Sequence, residues 1–194
     1  MSDAAQPSTQ PARDSWALVA RRIRVPLGFV FTVVYVWLAR PTRMSIFAGG
    51  LLVLPGLLLR GLASGHVKKN EQLTTSGPYA YTRNPLYLGS LLLAAGFSIA
   101  ARSWWIVGLA LLMFAVIYVP VIMDEERFLR ATFPEFEGYT RHVPRLFPRL
   151  TPHGSQPGGF SSELYWKHRE YQALLGSIAV LAILIVKLIA KLVW

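Results

Sequence analysis

The sequence predicts an all-α, polytopic integral membrane protein of about five transmembrane helices, with a cytoplasmic catalytic segment placed before the last of them. Three observations carry this. Hydrophobic residues make up 53% of the chain and charged residues 15%, a balance foreign to soluble globular domains. The apolar residues fall into runs of near-membrane length, separated by short turns or polar loops. The basic residues behind a formal net charge of +10 lie between those runs, where they suit anionic headgroups and topology rather than nucleic acid. There is no cysteine, which excludes disulfides, thiol nucleophiles, iron–sulfur clusters and thiolate zinc sites.

Residues 1–24 form a tail and approach. The first fourteen are rich in Ser, Pro, Ala and Gln and predict a disordered cytoplasmic tail with no secretory cleavage pattern. Arg21, Arg22 and Arg24 then place the approach at headgroup level. Residues 25–64 hold two spans, 25–39 and 44–64. Trp16 and Trp37 are interfacial anchors for the first. In the second, Gly49, Gly50, Gly56 and Gly61 supply small positions, read as a groove for a lipid-like molecule entering sideways. Pro55 is expected to kink that helix and Arg60 to snorkel to the interface.

Residues 65–148 are the expected cofactor-binding core. A polar loop leads into a hairpin of spans 86–101 and 104–123, joined by Arg102 and Ser103. The second span should continue as a helix to residue 132, after which Pro and Gly predict irregular chain. Residues 149–172 read as a cytoplasmic linker. Residues 173–194 are the last span, interrupted by Lys187 and Lys191. Lys and Arg crowd the tail, the middle loop and the long segment, whereas the opposite turns hold Arg40, Arg43 and Arg102. The tail and the polar segments are therefore expected on the cytoplasmic face of an inner membrane.

Two stretches carry chemistry. Gly77 to Gly89 sets Tyr79, Tyr81, Arg83, Asn84 and Tyr87 directly against an apolar run, and such groups are costly there unless buried in protein or facing a cavity. Asn84 before Pro85 should leave the helical region, and Pro85 should open a helix. The other stretch is Asp124-Glu125-Glu126-Arg127, acidic groups at a helix end that call for a cationic partner, with Arg83 across the hairpin as one source. A basic segment with Tyr139, Arg141 and Arg145 follows, able to fold back and present Arg141 or Arg145 to an acidic group. His66, His142, His153 and His168 have no metal-ligand spacing, so no metal site is expected.

In content and order these residues resemble the isoprenylcysteine carboxyl methyltransferase and phospholipid methyltransferase family of integral membrane enzymes. The resemblance rests on His66, Gly77-Pro78-Tyr79, Arg83-Asn84-Pro85-Leu86-Tyr87-Leu88-Gly89, Glu125-Glu126, Phe133 with Tyr139, and Val143-Pro144 to Pro148, and covers residues 65–148. It implies that S-adenosylmethionine binds at the cytoplasmic face, with His66, Gly77, Pro78, Tyr79, Arg83, Asn84, Pro85, Tyr87, Glu125 and Glu126 in the cofactor pocket. Arg83, Glu126, Arg127, Tyr139 and Arg141 are the implied catalytic and acceptor-orienting residues, with Glu126 as base if the acceptor is an amine. Asn84 departs from the histidine of many members, keeping the hydrogen bonding and giving up the imidazole proton.

The expected function is thus S-adenosylmethionine-dependent methyl transfer to a lipid-like or hydrophobic acceptor entering from the bilayer. The acceptor stays open between an isoprenoid carboxylate, a phospholipid amine, and a small thiol or phenol. Membrane lipids are expected partners and nucleic acid is not. The last span is open to shielding the lipid entrance or to forming a homo-oligomer. Two other readings compete: a non-catalytic scaffold holding anionic lipid or a partner, and a sterol-reductase-like NADPH enzyme, which would want more spans and more basic residues.

Overall fold

A computed structural model describes residues 15–68, 71–154 and 158–193, and among these no strand occurs. The five expected apolar segments are all helical. They correspond to α1 (Ser15–Leu38), α2 (Arg43–Ser64), α3 (Pro85–Ala101), α4 with α5 (Trp104–Met113 and Val119–Thr132), and α8 (Tyr171–Val193). Two short helices, α6 (Phe136–His142) and α7 (Ser162–Lys167), occupy stretches expected to be irregular or linker. Three helices are long and apolar enough to cross a membrane: Arg43–Ser64, Trp104–Thr132 and Tyr171–Ala190. The apolar parts of α1 and α3, Pro26–Leu38 and Pro85–Ala101, are shorter. The chain is therefore a polytopic all-α membrane protein, with two of its five apolar helices below the usual crossing length. The expected disordered tail and the side chain of Lys191 lie outside the described residues.

Local chemistry sets the helix ends. Thr42 and Ser45 form a reciprocal capping box at the start of α2, Ser45 N–H donating to Thr42 Oγ1 at 3.2 Å and Thr42 N–H to Ser45 Oγ at 2.9 Å. Arg102 takes a left-handed φ of 52° to end α3, which makes the tight Arg102-Ser103 turn. From Trp104 to Thr132 the helix is continuous but passes through a π-helical turn, Phe114–Tyr118. Pro120 explains the irregularity, because it cannot donate to the carbonyl of Val116 four residues back. Trp16 Nε1 donates to that carbonyl at 3.0 Å instead, so a proline in one helix is satisfied by α1. Pro55 is likewise contained in α2, which is assigned as one unbroken helix.

Gly49 and Gly56 lie where α3 packs closely on α2, and Gly49 and Gly50 also line an apolar cleft of about 220 Å³ between α2, α3 and α8. A Cβ on Gly49 would lie 2.4 Å from the Gly96 carbonyl oxygen, and one on Gly56 would lie 3.0 Å from that of Gly89. The two helices pack backbone to backbone.

Helix α8 docks through Leu184 onto a buried cluster of Tyr35, Ala39, Ala100, Ala101 and Ile106. Lys187, expected as an interruption, has a defined partner: its Nζ donates to the carbonyls of Val36 and, at 2.8 Å, Ala39 at the end of α1. A cation on unpaired terminal carbonyls offsets the helix dipole where lipid offers no donors. Replacing Lys187 with methionine is expected to cost about 1–2 kcal/mol, the worth of charged hydrogen bonds less the apolar gain. A thermal midpoint in detergent equal to that of the wild type would contradict this.

Candidate functional site

Where α2, α3 and α5 meet the polar loops, the protein forms a cavity of about 720 Å³. Its walls are the end of α2, residues 67–68 and 72–74, the 3-10 turn Gly77–Ala80, the start of α3, one face of α5, α6, and the corner between α7 and α8. That volume is within the range of sites that bury a nucleoside-sized ligand.

Glu126 is the centre of one wall, its side chain 6% exposed. Arg145 reaches it with Nη2 at 2.8 Å and Nε at 3.0 Å from Oε2, Asn84 Nδ2 donates to Oε1 at 3.2 Å, and Arg83 Nη1 lies 3.5 Å from Oε1. The orientation of the Asn84 amide is dictated, since its Nδ2 faces two acceptors, Glu126 and the Arg145 carbonyl at 3.0 Å. Asn84 itself has left the helical region, with ψ 56°, and Pro85 opens α3 as expected. The arginine that folds back is therefore Arg145. Backbone bonds along the Tyr81–Arg83 strip hold it there: Arg83 N–H donates to the Pro144 carbonyl at 3.0 Å and Arg149 N–H to that of Tyr81 at 3.0 Å.

Beside this cluster, Tyr87 Oη donates to Glu125 Oε2 at 2.9 Å, and Tyr139 Oη donates to the Tyr79 carbonyl at 2.6 Å. Burial pushes the Tyr79 phenol well above its ordinary value, reinforced by the negative field of Glu125 and neighbouring groups. Burial also raises the Tyr139 phenol, with Arg83 opposing and Glu126 adding. Both phenols thus stay protonated, and that of Tyr139 serves as a donor rather than a base.

Of the residues singled out in the sequence, Tyr79, Arg83, Asn84, Pro85, Tyr87, Glu125, Glu126 and Tyr139 line the cavity together. The others do not. His66 bonds the Leu62 carbonyl through Nδ1 at 2.8 Å and lies against Gly77, whose φ of +56° and lack of Cβ make room for the ring. Gly77 and Pro78 build the turn behind Tyr79. Arg127 and Arg141 are exposed and outside the lining.

The opposite wall was not anticipated. Arg60, expected to snorkel, is held between helices by Glu170, with Nε 2.6 Å from Oε1 and Nη2 3.0 Å from Oε2, and its Nη1 donates to Ser90 Oγ. His168 stands next to this pair and also lines the cavity. Opposite charges at the ends of two predicted spans were the signal available for Arg60 and Glu170. Nothing in the sequence marks His168.

The fold and site together define a helical membrane protein with a polar, charged cavity at one end of its helices. Residues 59–135 match the phospholipid methyltransferase family, which bears out the resemblance read from the sequence over that segment. The chain is 44% identical over 84 residues to the cobalt-zinc-cadmium resistance protein CzcN of Cupriavidus metallidurans. It is 37% identical over 84 residues to the nickel-cobalt-cadmium resistance protein NccN of Alcaligenes xylosoxydans xylosoxydans. Each alignment takes in 43% of this chain and 39% of the relative's length. No solved structure matches. Among the described residues, no group of three or more His, Asp or Glu is placed to hold a metal ion.

Proposed function

We propose that the protein transfers a methyl group from S-adenosylmethionine to a hydrophobic or lipid-like acceptor at the cytoplasmic membrane face. The observation that carries this is the cavity itself. The Arg83–Asn84–Glu126 cluster and Glu125 converge in it from the two ends of a membrane hairpin, inside the segment that matches the family.

The residues present fit the cofactor. Its carboxylate suits Arg83, whose Nε is buried without a hydrogen-bond partner. Its ammonium and sulfonium charges suit the carboxylates of Glu125 and Asp124, which share the cavity wall. When bound, the cofactor supplies an electrophilic methyl group. The chain's part is then to hold donor and acceptor in line and keep water away. Glu126 fixes Arg83, Asn84 and Arg145 relative to one another, and Tyr139 locks the turn that carries Tyr79. Leu73, Phe136 and Leu129 give the chamber apolar cover.

Calorimetry on the purified protein in detergent tests this. Saturable binding of S-adenosylhomocysteine is expected, and NADPH should give no comparable thermal stabilisation. Glu125→Gln is expected to weaken S-adenosylmethionine about tenfold, the value of one charge-assisted contact. A wild-type protein that binds neither S-adenosylmethionine nor S-adenosylhomocysteine would end the methyl-transfer reading.

A further inference from the structure

Methyl transfer to a neutral heteroatom releases a proton, and the cavity has to receive it. The sequence pointed to Glu126. In the structure both Glu126 oxygens already accept from Arg145, one of them also from Asn84, with Arg83 alongside, so the carboxylate is already engaged by two guanidinium groups and an amide. The phenols of Tyr79 and Tyr139 are held protonated. Glu170 gives both oxygens to the Arg60 guanidinium.

His168 is differently placed. Its Nδ1 lies 3.1 Å from the Ser64 carbonyl oxygen, which can only accept, so Nδ1 carries the hydrogen. In a neutral imidazole the other nitrogen, Nε2, is then a bare acceptor. His66 and His142 bond carbonyls only four residues back in the chain, whereas His168 reaches across 104 residues to the end of α2.

The corner that carries His168 is pinned on both sides. Ser161 N–H donates to the Gly65 carbonyl at 2.9 Å and the Phe160 ring covers Gly65, while Glu170 clasps Arg60. Arg169, between His168 and Glu170, adopts a left-handed φ of 54°. Such a conformation in a non-glycine residue costs about 1 kcal/mol and persists only where the surroundings enforce it. Here it brings His168 and Glu170, two positions apart, to the same cavity.

We propose that His168 Nε2 is the proton acceptor of the transfer, and that the methyl acceptor is accordingly a hydrophobic thiol, phenol or amine rather than a carboxylate. This rests on the methyl-transfer reading above. The acceptor's heteroatom forms its bond to the methyl carbon as the carbon–sulfur bond breaks, the electron pair of that bond remains on sulfur, and the heteroatom's proton passes to Nε2. Glu170 and Arg60 act as positioning residues that hold the corner. Both His168 and Glu170 lie outside the segment 59–135, so this chain adds them to what that segment supplies.

Two measurements test the proposal, using His168→Asn, whose shorter amide retains a donor for the Ser64 carbonyl. In protein labelled with nitrogen-15 histidine and free of cofactor, the resonances lost in the variant should report protonated Nδ1 and bare Nε2. A protonated Nε2 with bare Nδ1 would overturn the proposal. In the second, labelled methyl transfer is followed to octanethiol, octylphenol, octylamine, octanoate and the readily ionised thiophenol. The first three are expected as acceptors and octanoate not. His168→Asn should lower their turnover about 100-fold or more, with a much smaller loss for thiophenol and unchanged S-adenosylhomocysteine affinity. Equal losses for ionised and proton-bearing acceptors, or methylation of octanoate alone, would overturn it. Absent cofactor binding in the wild type removes the methyl-transfer reading as a whole. Cofactor binding with wild-type turnover in His168→Asn removes only the role of His168.

Discussion

Glu126→Ala is expected to lower stability by about 3 kcal/mol and to abolish cofactor binding. The side chain is 6% exposed and is the common partner of Arg83, 13% exposed, and Arg145, 55% exposed. Removing one member of a buried ion cluster leaves the other charges uncompensated, and that penalty dominates the lost attraction. Arg145 can turn to water, which softens the loss. Arg83 cannot, because its backbone N–H is tied to Pro144 and its Nε is already buried without a partner. Glu126→Gln retains the shape and an acceptor for Asn84, so it should cost less than the alanine variant while still weakening the cofactor. Thermal midpoints in detergent, with and without S-adenosylhomocysteine, separate the two effects. An alanine variant that melts with the wild type and still binds would mean that the cluster does not organise the cavity.

The half of the site that was legible in the sequence is the half encoded locally. Gly77 to Gly89 and Asp124-Glu125-Glu126 each announce themselves by placing charge where a helix meets lipid, and the hairpin between them brings both ends to one face. That is why Arg83 and Glu126 meet. The choice between Arg141 and Arg145 was not legible, because it depends on how residues 144–153 pair with the Ala80–Arg83 strip. Arg60 lies 110 residues before Glu170 in the chain, and it meets Glu170 and its neighbour His168 only because the chain returns to pack on α2. A charged residue near the end of a span is ordinarily read as snorkelling, and only the tertiary contact distinguishes that from a buried pair. The helices were legible from hydrophobicity, but not the π-helical turn at Phe114–Tyr118, whose freed carbonyl is satisfied by a tryptophan 100 residues earlier.

Gly49→Ala is expected to destabilise by about 1–3 kcal/mol, although it adds only a methyl group and removes a helix-unfavourable glycine. The added Cβ would sit 2.4 Å from the Gly96 carbonyl oxygen, 2.9 Å from Ala100 Cβ and 3.1 Å from the Ala100 nitrogen. Two of those three atoms are backbone, so no rotamer change relieves the contact and α2 must move off α3. Gly50→Ala is the matched control. Nothing lies within 4 Å of its added Cβ, so only the helix preference remains, about 1 kcal/mol in the stabilising direction. The displacement reaches the cavity because the same helix pair carries both features. One turn past Gly56, Arg60 of α2 donates to Ser90 of α3, and the Gly89 Cα faces the Arg60 side chain. Gly49→Ala should therefore weaken the Arg60–Glu170 anchor from a distance and reduce turnover, with cofactor affinity, which depends on the Glu126 wall, less affected. Melting and calorimetry on the two variants decide the point: a Gly49→Ala protein as stable as Gly50→Ala would show that the helices have room to spare, and the close α2–α3 contact would no longer explain how this corner is held.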